Sequence, residues 1–348
     1  MFRVLIAEDS PTVRALLVMI LNADPQIEVV GEAVDGWQAV EMTLRLKPDV
    51  VTMDISMPGL DGFAATKEIM VQSPTPIVIV SGHDVQDVMV SMQTLRVGAL
   101  AILPTPAGIN TVDFTATSAR FVETVKAMAE VKVVGHLRRR AAALDPHQQV
   151  SGLSAPNAGV VAIAASTGGP AALHSLLSCI PGDFPVPILI VQHITKGYCA
   201  GLASWLNAAS SLKVVMAVGG EPLKPHTAYL APDDRHLGVS AARTIIVSTA
   251  APIQGFRPSG TYLFESAAEV FGSATIAVIL TGMGDDGVAG LRAVRQAGGR
   301  IIAQDEASSV VFGMPGAAIS AGLADEVMPL TAIAAQLGGR FHCSSTPS

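Results

Sequence analysis

The chain has 348 residues, of which 50% are hydrophobic and 15% are charged, and its formal net charge is −7. This length predicts two or three domains, and the composition excludes a mainly disordered chain, a membrane-inserted protein with apolar spans of roughly 18 residues, and a basic nucleic-acid-binding protein. The three cysteines are too few and odd in number for a disulfide framework, and the acidic start MFRVLIAEDS does not fit a secretory signal, so we expect a cytoplasmic protein.

Residues 2–125 alternate short apolar runs with amphipathic segments. Five buried strands are predicted, at RVLIA, EVVGEA, DVVTMD, PIVIVSG and LAILP. Helices are predicted to start near Pro11, Asp35, Asp61, Val85 and Asp113. Because strands alternate with helices, this region is expected to form a parallel, doubly wound sheet of five strands.

This alternation stops in residues 126–157, which contain three consecutive arginines and end in SGLSAPN, as is typical of a linker. A second series occupies residues 158–348, with strands predicted at GVVAIAA, PVPILIVQ, TIAVILTG and GRIIAQ. The β-branched region from His226 to Ser248 is predicted to add antiparallel strands. The chain is therefore expected to contain two α/β domains, the second of them doubly wound and mostly parallel.

Carboxylates follow two of the strands predicted for the first domain. Glu8 and Asp9 end the first strand, and Asp54 ends the third. These strand ends meet at one edge of a parallel sheet, so the three acids would repel one another unless a hard cation such as Mg²⁺ lies between them. With the metal bound, Asp54 can attack a phosphoryl donor, and Ser81 at the end of the fourth strand can hydrogen-bond the product. The alternative is that each acid merely caps a helix, which fits any one of them better than the set.

Residues 2–125, with MDISMPGLDG around Asp54, resemble a two-component receiver domain, which has a flavodoxin-like fold. The resemblance implies that Asp54 is the phosphoacceptor. It also implies that Glu8 and Asp9 bind Mg²⁺ together with Asp54, and that Ser81 is the switch hydroxyl.

Two positions depart from the receiver pattern. The family places a lysine after the fifth strand, where this chain has Thr105, and Ile102 stands where an aromatic switch residue is usual. Threonine has no ammonium group to pair with the phosphoryl oxygens. We therefore expect phosphorylation of this receiver to transmit its signal weakly.

Polar residues in the second domain also follow three of its predicted strands. Ser166 ends GVVAIAA before a glycine-rich helix start, His193 follows PVPILIVQ, and Asp285 and Asp286 follow TIAVILTG. A hydroxyl at a helix start lies where backbone N–H groups can stabilise an oxyanion, and His193 is the best placed of the eight histidines to be its base. A carboxylate from the third strand would complete a nucleophile, base and acid set. The residues alone leave open a helix-capping Ser166 and a structural His193, since the strict G-x-S-x-G pattern is not met.

A competing interpretation concerns Gly282–Gly287, which matches the dinucleotide fingerprint G-x-G-x-x-G, with Asp305 18 residues further on. Asp285 and Asp286 would then place two carboxylates against a pyrophosphate, which is electrostatically unfavourable. Only about 60 residues follow, too few for a complete dinucleotide-binding domain. Nucleotide binding is therefore disfavoured.

A second resemblance selects the esterase interpretation. Within residues 158–340, the segments that carry it are IAASTGGP, VQHITKGY, PDDRHL, ILTGMGDDG and SSVVFGMP. They closely resemble the catalytic domain of the chemotaxis protein-glutamate methylesterases, the CheB family, in which this domain is paired with a receiver. The resemblance implies that Ser166 is the nucleophile, His193 the general base and acid, and Asp286 the group that orients His193. It further implies that Thr167 and the backbone at Met283 lie near the substrate carbonyl.

The same resemblance implies a function in bacterial chemotaxis. The expected reactions are hydrolysis of glutamate methyl esters and deamidation of glutamines on methyl-accepting chemotaxis receptors, with a chemotaxis histidine kinase as phosphodonor. The receiver would use Mg²⁺, and the esterase would need no cofactor. Two alternatives stay open: a receiver-linked binding module whose output domain has decayed, and a constitutive esterase with a degenerate, weakly switching receiver.

Overall fold

The computed structural model describes residues 1–81, 93–95, 97–106, 108, 111, 114–131 and 159–342. The chain divides into two compact units, residues 1–147 and 148–348. The helix predicted near Val85 and most of the predicted linker lie outside the described residues, so the predicted boundaries at residues 125 and 157 stay predictions. None of the helices within the described ranges combines the length and the hydropathy that crossing a bilayer requires.

The first unit is a five-stranded parallel sheet, as predicted, and its strand order is β2-β1-β3-β4-β5. Its strands are β1 (Phe2–Ala7), β2 (Ile27–Ala33), β3 (Val50–Asp54), β4 (Ile77–Ser81) and β5 (Ala101–Pro104). Its helices include α1 (Pro11–Asn22), α2 (Gly36–Leu46), α3 (Gly62–Gln72) and α4 (Phe114–Ala129). The central strands read as near-continuous apolar runs because both of their faces are buried.

The first three helices begin where the sequence predicts. Ser10, Asp35 and Asp61 are their N-caps, and each side chain accepts a hydrogen bond from the backbone N–H three residues on, at 3.4, 2.8 and 2.7 Å respectively. These bonds satisfy N–H groups that have no partner within the helix. Their effect is to fix the direction of the chain just past the carboxyl ends of the strands.

The second unit contains a seven-stranded parallel sheet with the order β14-β13-β12-β6-β7-β9-β8 and a two-stranded antiparallel hairpin, β10-β11. Its strands are β6 (Val160–Ala165), β7 (Ile188–Gln192), β8 (Lys213–Met216), β9 (Thr227–Leu230), β10 (His236–Val239), β11 (Ile245–Ser248), β12 (Thr275–Ile279), β13 (Arg300–Gln304) and β14 (Glu326–Met328). Its helices include α5 (Gly169–Cys179), α6 (Cys199–Ala209), α7 (Gly260–Phe271), α8 (Val288–Gln296), α9 (Met314–Ser320) and α10 (Leu330–His342). The mostly parallel α/β class predicted for this domain is confirmed.

The region from His226 to Ser248 is only partly as predicted. β10 and β11 form an antiparallel pair, but β9 joins the parallel sheet between β7 and β8. All four residues of β9 are buried, as suits a strand covered on both faces, whereas β11 is mostly half-buried. The prediction of antiparallel strands throughout this region was therefore wrong for β9.

Parallel register brings three strand ends of the second unit together. Ala165 pairs with Gln192 across β6 and β7, and Ile279 pairs with Ala164 across β12 and β6. The residues that follow these strands therefore emerge side by side at the carboxyl edge of the sheet, where α/β proteins form their sites.

Candidate active site

Ser166 lies directly after β6, and its main chain is held by both neighbouring strand ends. Its N–H donates to the carbonyl of Thr281 at 3.0 Å. Its carbonyl accepts from the N–H of Gly169 at 2.8 Å and from Nε2 of Gln192 at 2.7 Å. Only glycine fits at position 282, where an added Cβ would lie 2.7 Å from Cβ of Ser166. The serine is 9% exposed, so it is enclosed but still reaches the surface.

His193 follows β7 and is held at its backbone, at one ring nitrogen and on one ring face. Its N–H donates to the carbonyl of Ala165 at 2.9 Å. Its Nε2 lies 2.9 Å from Oδ2 of Asp286, and the side chains are 3% and 0% exposed. The ring of Phe256 stacks on the imidazole with centroids 4.3 Å apart and planes 10° apart. Nδ1 is buried and has no hydrogen-bond partner among the described residues.

The Asp286 carboxylate lies against the amino end of α7. Oδ1 accepts from the hydroxyl of Ser259 at 2.7 Å and the N–H of Thr261 at 3.2 Å, and Oδ2 accepts from the N–H of Gly260 at 2.6 Å. Burial opposes ionisation, but the hydrogen bonds from His193, Ser259 and Gly260 and the nearby imidazole outweigh it and lower the pKa of Asp286 to about 2. Since an ionised carboxylate only accepts hydrogen bonds, Nε2 of His193 carries a hydrogen, and in the neutral imidazole the lone pair is then on Nδ1.

Thr167 and Met283 both have backbone groups available to a ligand. The carbonyl of Thr167 accepts from the hydroxyl of Thr281 at 2.9 Å, but the N–H groups of Thr167 and Met283 donate no hydrogen bond to any described residue. Unused backbone donors beside a helix start are suited to bind an oxyanion.

Two buried polar residues in this site were missed by sequence reasoning. Gln192 donates from Nε2 to the carbonyls of Ser166 and His193, at 2.7 and 2.8 Å, and so ties the two strand ends together. Ser259, fully buried, caps α7 and bonds Asp286. In the sequence, Gln192 could have been found as the polar residue that ends the apolar run PVPILIVQ. Ser259 could have been found as a serine that precedes an amphipathic run.

The first unit contains a separate acidic cluster. One ligand oxygen from each of Glu8, Asp9 and Asp54 lies within 4.8 Å of the others. Burial, followed by the charge of Asp54, raises the pKa of Glu8 to about 7. Such crowding of carboxylates fits a hard divalent cation bound by oxygen ligands.

Ser81 and Thr105 lie next to each other at the carboxyl end of the same sheet. Ser81 ends β4 and pairs with Pro104, the last residue of β5. The N–H of Thr105 donates to the carbonyl of Ser81 at 3.2 Å. Thr105 thus directly follows β5, where the receiver pattern has its lysine, and Ile102, within β5, is half-buried.

Comparison with known proteins identifies both parts of the chain. Residues 4–113 match the family model described as response regulator receiver domain, and residues 161–337 match the one described as CheB methylesterase. The chain belongs to the CheB methylesterase family. As a member it is a methylesterase with a response-regulator receiver domain, which confirms both resemblances seen in the sequence.

Relatives in the CheB family match over nearly the whole length. Protein-glutamate methylesterase/protein-glutamine glutaminase 4 of Myxococcus xanthus is 55% identical over 344 residues, 98% of each chain. The protein numbered 3 under the same name in Anaeromyxobacter dehalogenans is 51% identical, over 97% of this chain and 98% of that one. The crystal structure of the Thermotoga maritima CheB methylesterase catalytic domain is 41% identical, with a TM-score of 0.51, and covers 52% of this chain and 97% of that one.

Proposed function

We propose that this chain hydrolyses γ-glutamyl methyl esters and deamidates glutamine side chains on methyl-accepting chemotaxis receptors in the cytoplasm. Ser166 is the nucleophile, His193 the general base and acid, and Asp286 the group that orients His193. The observation that carries this proposal is the buried hydrogen bond of 2.9 Å between Nε2 of His193 and Asp286, which leaves Nδ1 as the free base at the strand end beside Ser166. The names of the full-length relatives support the substrate class.

The acylation step follows from these groups. Nδ1 of His193 takes the proton of the Ser166 hydroxyl as Oγ attacks the ester carbonyl. The backbone N–H groups of Thr167 and Met283 stabilise the tetrahedral oxyanion, and the charge of Asp286 stabilises the imidazolium. The intermediate then expels methanol, which takes its proton from Nδ1, and leaves an acyl-enzyme on Ser166.

Deacylation returns the enzyme to its starting state. His193 activates a water molecule, which releases the glutamate side chain and frees the Ser166 hydroxyl. A glutamine substrate follows the same route and expels ammonia. Either reaction converts a neutral side chain on the receptor into an anion and so makes the charge of the receptor more negative.

A serine-directed organophosphonate small enough to enter the site is expected to label Ser166 and to stop methanol release from methylated receptor membranes. Cysteine alkylation should leave the activity intact, because burial raises the pKa of the Cys199 thiol and Cys179 is exposed on α5, away from the strand ends. Peptide mapping after labelling, with methanol release measured in parallel, tests both expectations. Label on Thr167 with Ser166 unmodified would contradict the assignment.

We propose that the receiver domain, residues 1–125, is followed by a linker at 126–157 and the methylesterase domain at 158–348. Glu8, Asp9 and Asp54 would hold Mg²⁺, which neutralises the oxygens of a transferred phosphoryl group when bound. Asp54 accepts the phosphoryl group from a chemotaxis histidine kinase, and Ser81 hydrogen-bonds it. The clustered oxygens and the raised pKa of Glu8 support this part of the proposal.

A weakly switching receiver is the second candidate, and Thr105 at the end of β5 favours it. The ion pair between a lysine and the phosphoryl group is a charge-assisted contact commonly worth about 1.5–3 kcal/mol, and threonine cannot supply it. A chain whose output domain has decayed to a binding module is disfavoured by the buried contact between His193 and Asp286.

A small phosphodonor is expected to modify Asp54 but to stimulate methanol release only weakly, with high activity in the unphosphorylated chain. Thr105→Lys should widen the gap between the two states by restoring the missing contact. The measurement compares esterase activity with and without phosphodonor in both proteins, with Asp54→Asn as the control that cannot be phosphorylated. Strong stimulation of the natural sequence would contradict the constitutive alternative.

A further inference from the structure

The aromatic side chain of Phe256 packs against His193, the candidate base. Neither the proposed triad nor the proposed oxyanion site includes Phe256. Its ring lies parallel to the imidazole of His193, with centroids 4.3 Å apart and planes 10° apart. Phe256 is half-buried, whereas His193 is 9% exposed. The phenyl ring therefore covers one face of the base at the surface of the site.

The hydrogen bonds that His193 makes do not by themselves fix the rotation of its ring. The backbone is held through Ala165 and Gln192, and the ring is held at Nε2 by Asp286. With Cγ bonded to Cβ and Nε2 held by one hydrogen bond, the imidazole can still turn about the Cβ–Cγ bond, and this rotation displaces Nδ1. Nδ1 itself has no partner among the described residues. A parallel ring stacked on the face of the imidazole opposes this rotation.

Phe256 is itself held by a clamped segment, residues 249–258, here called the strap. The N–H groups of Ile253 and Phe256 each donate to the other residue's carbonyl, at 3.1 and 2.9 Å. Arg257 donates from Nε to Oδ1 of Asp234 at 2.8 Å, and its Nη1 reaches two strap carbonyls at 3.2 and 3.1 Å. The hydrogen bond from Arg257 lowers the pKa of Asp234, so this ion pair persists across the neutral range. The strap thus presents the phenyl ring at a fixed position.

We propose that Phe256 is a positioning residue for the esterase reaction: by stacking on His193 it restricts the ring rotation that moves Nδ1 relative to the Ser166 hydroxyl. This inference rests on the proposed function, since it assigns Phe256 a role only if His193 is the base for Ser166. A small displacement of a catalytic group is sufficient to slow a reaction strongly. Stacked aromatic pairs are stabilised beyond their buried area, which is what makes the position of the ring reproducible.

The test compares Phe256→Leu, which keeps an apolar side chain but loses the flat face, with Phe256→Tyr, which keeps the ring. Gln254→Asn, at an exposed strap position with φ of 50°, is the matched control. In the full chain, Phe256→Leu is expected to lower kcat for methanol release about tenfold with little change in KM. It should slow phosphonylation of Ser166 by the same factor, because that reaction needs the base but no receptor. Phe256→Tyr and Gln254→Asn should retain both rates.

A merely structural role would lower the thermal midpoint or raise KM without slowing phosphonylation of the folded protein. Phosphonylation of Phe256→Leu at the natural rate would therefore overturn the inference, and so would a Tyr variant as slow as the Leu variant. If the proposed function itself is wrong, the result differs: the organophosphonate does not label Ser166 even in the natural chain.

Discussion

A Ser166→Ala variant of the full chain is expected to fold normally and to lose methanol release from methylated receptor membranes by a factor of about 10⁶ in kcat. The contacts that hold Ser166 in place use its backbone N–H and carbonyl, which alanine keeps. What alanine lacks is Oγ, so no acyl-enzyme can form. The loss therefore measures the chemical step and not the fold.

The matched control for this variant is Ser175→Ala, which removes an exposed hydroxyl from α5. It should release methanol at the natural rate. Unfolding curves for both variants should coincide with that of the natural chain. A folded Ser166→Ala protein with near-normal activity would mean that another residue is the nucleophile.

The positions of Ser166, His193 and Asp286 could be predicted because a parallel sheet gathers its strand ends. Each residue follows an apolar run of strand length, and the runs pair in the register that brings them to one edge. The same rule applied to Glu8, Asp9 and Asp54 in the first unit. Local pattern and sheet geometry therefore predicted which strand ends meet, whereas the choice of Asp286 over Asp285 came from the resemblance to the CheB family.

The supporting contacts could not be predicted in this way, since they join segments far apart in the chain. Ser259 bonds Asp286 from 27 positions away, and Phe256 reaches His193 from a segment without regular periodicity. Which ring nitrogen faces Asp286 also depends on the three-dimensional arrangement. The placement of β9 was missed for a related reason. A run of four buried residues has the same sequence pattern in a parallel pair as in an antiparallel pair.

Asp286→Asn is expected to lower kcat by about 10⁴, a large loss that still leaves more activity than Ser166→Ala. The four groups that contact the carboxylate, from His193, Ser259, Gly260 and Thr261, act as donors toward it. An amide NH₂ at this place would face donors, and the amide carries no charge to stabilise the imidazolium. The base therefore stays in the site, but its tautomer and orientation are no longer fixed.

The matched control for this last variant is Asp285→Asn, because Asp285 is the neighbouring carboxylate and is exposed. It should keep the natural rate, whereas the Asp286 variant should not. Nitrogen NMR of the His193 imidazole gives an independent readout: the natural chain should carry its hydrogen on Nε2, and Asp286→Asn should show a mixture of tautomers. A single Nε2–H tautomer together with unchanged kcat in Asp286→Asn would exclude Asp286 from the mechanism. An equal loss of kcat in Asp285→Asn would show that the loss is not specific to Asp286 and would contradict its assignment as the orienting carboxylate.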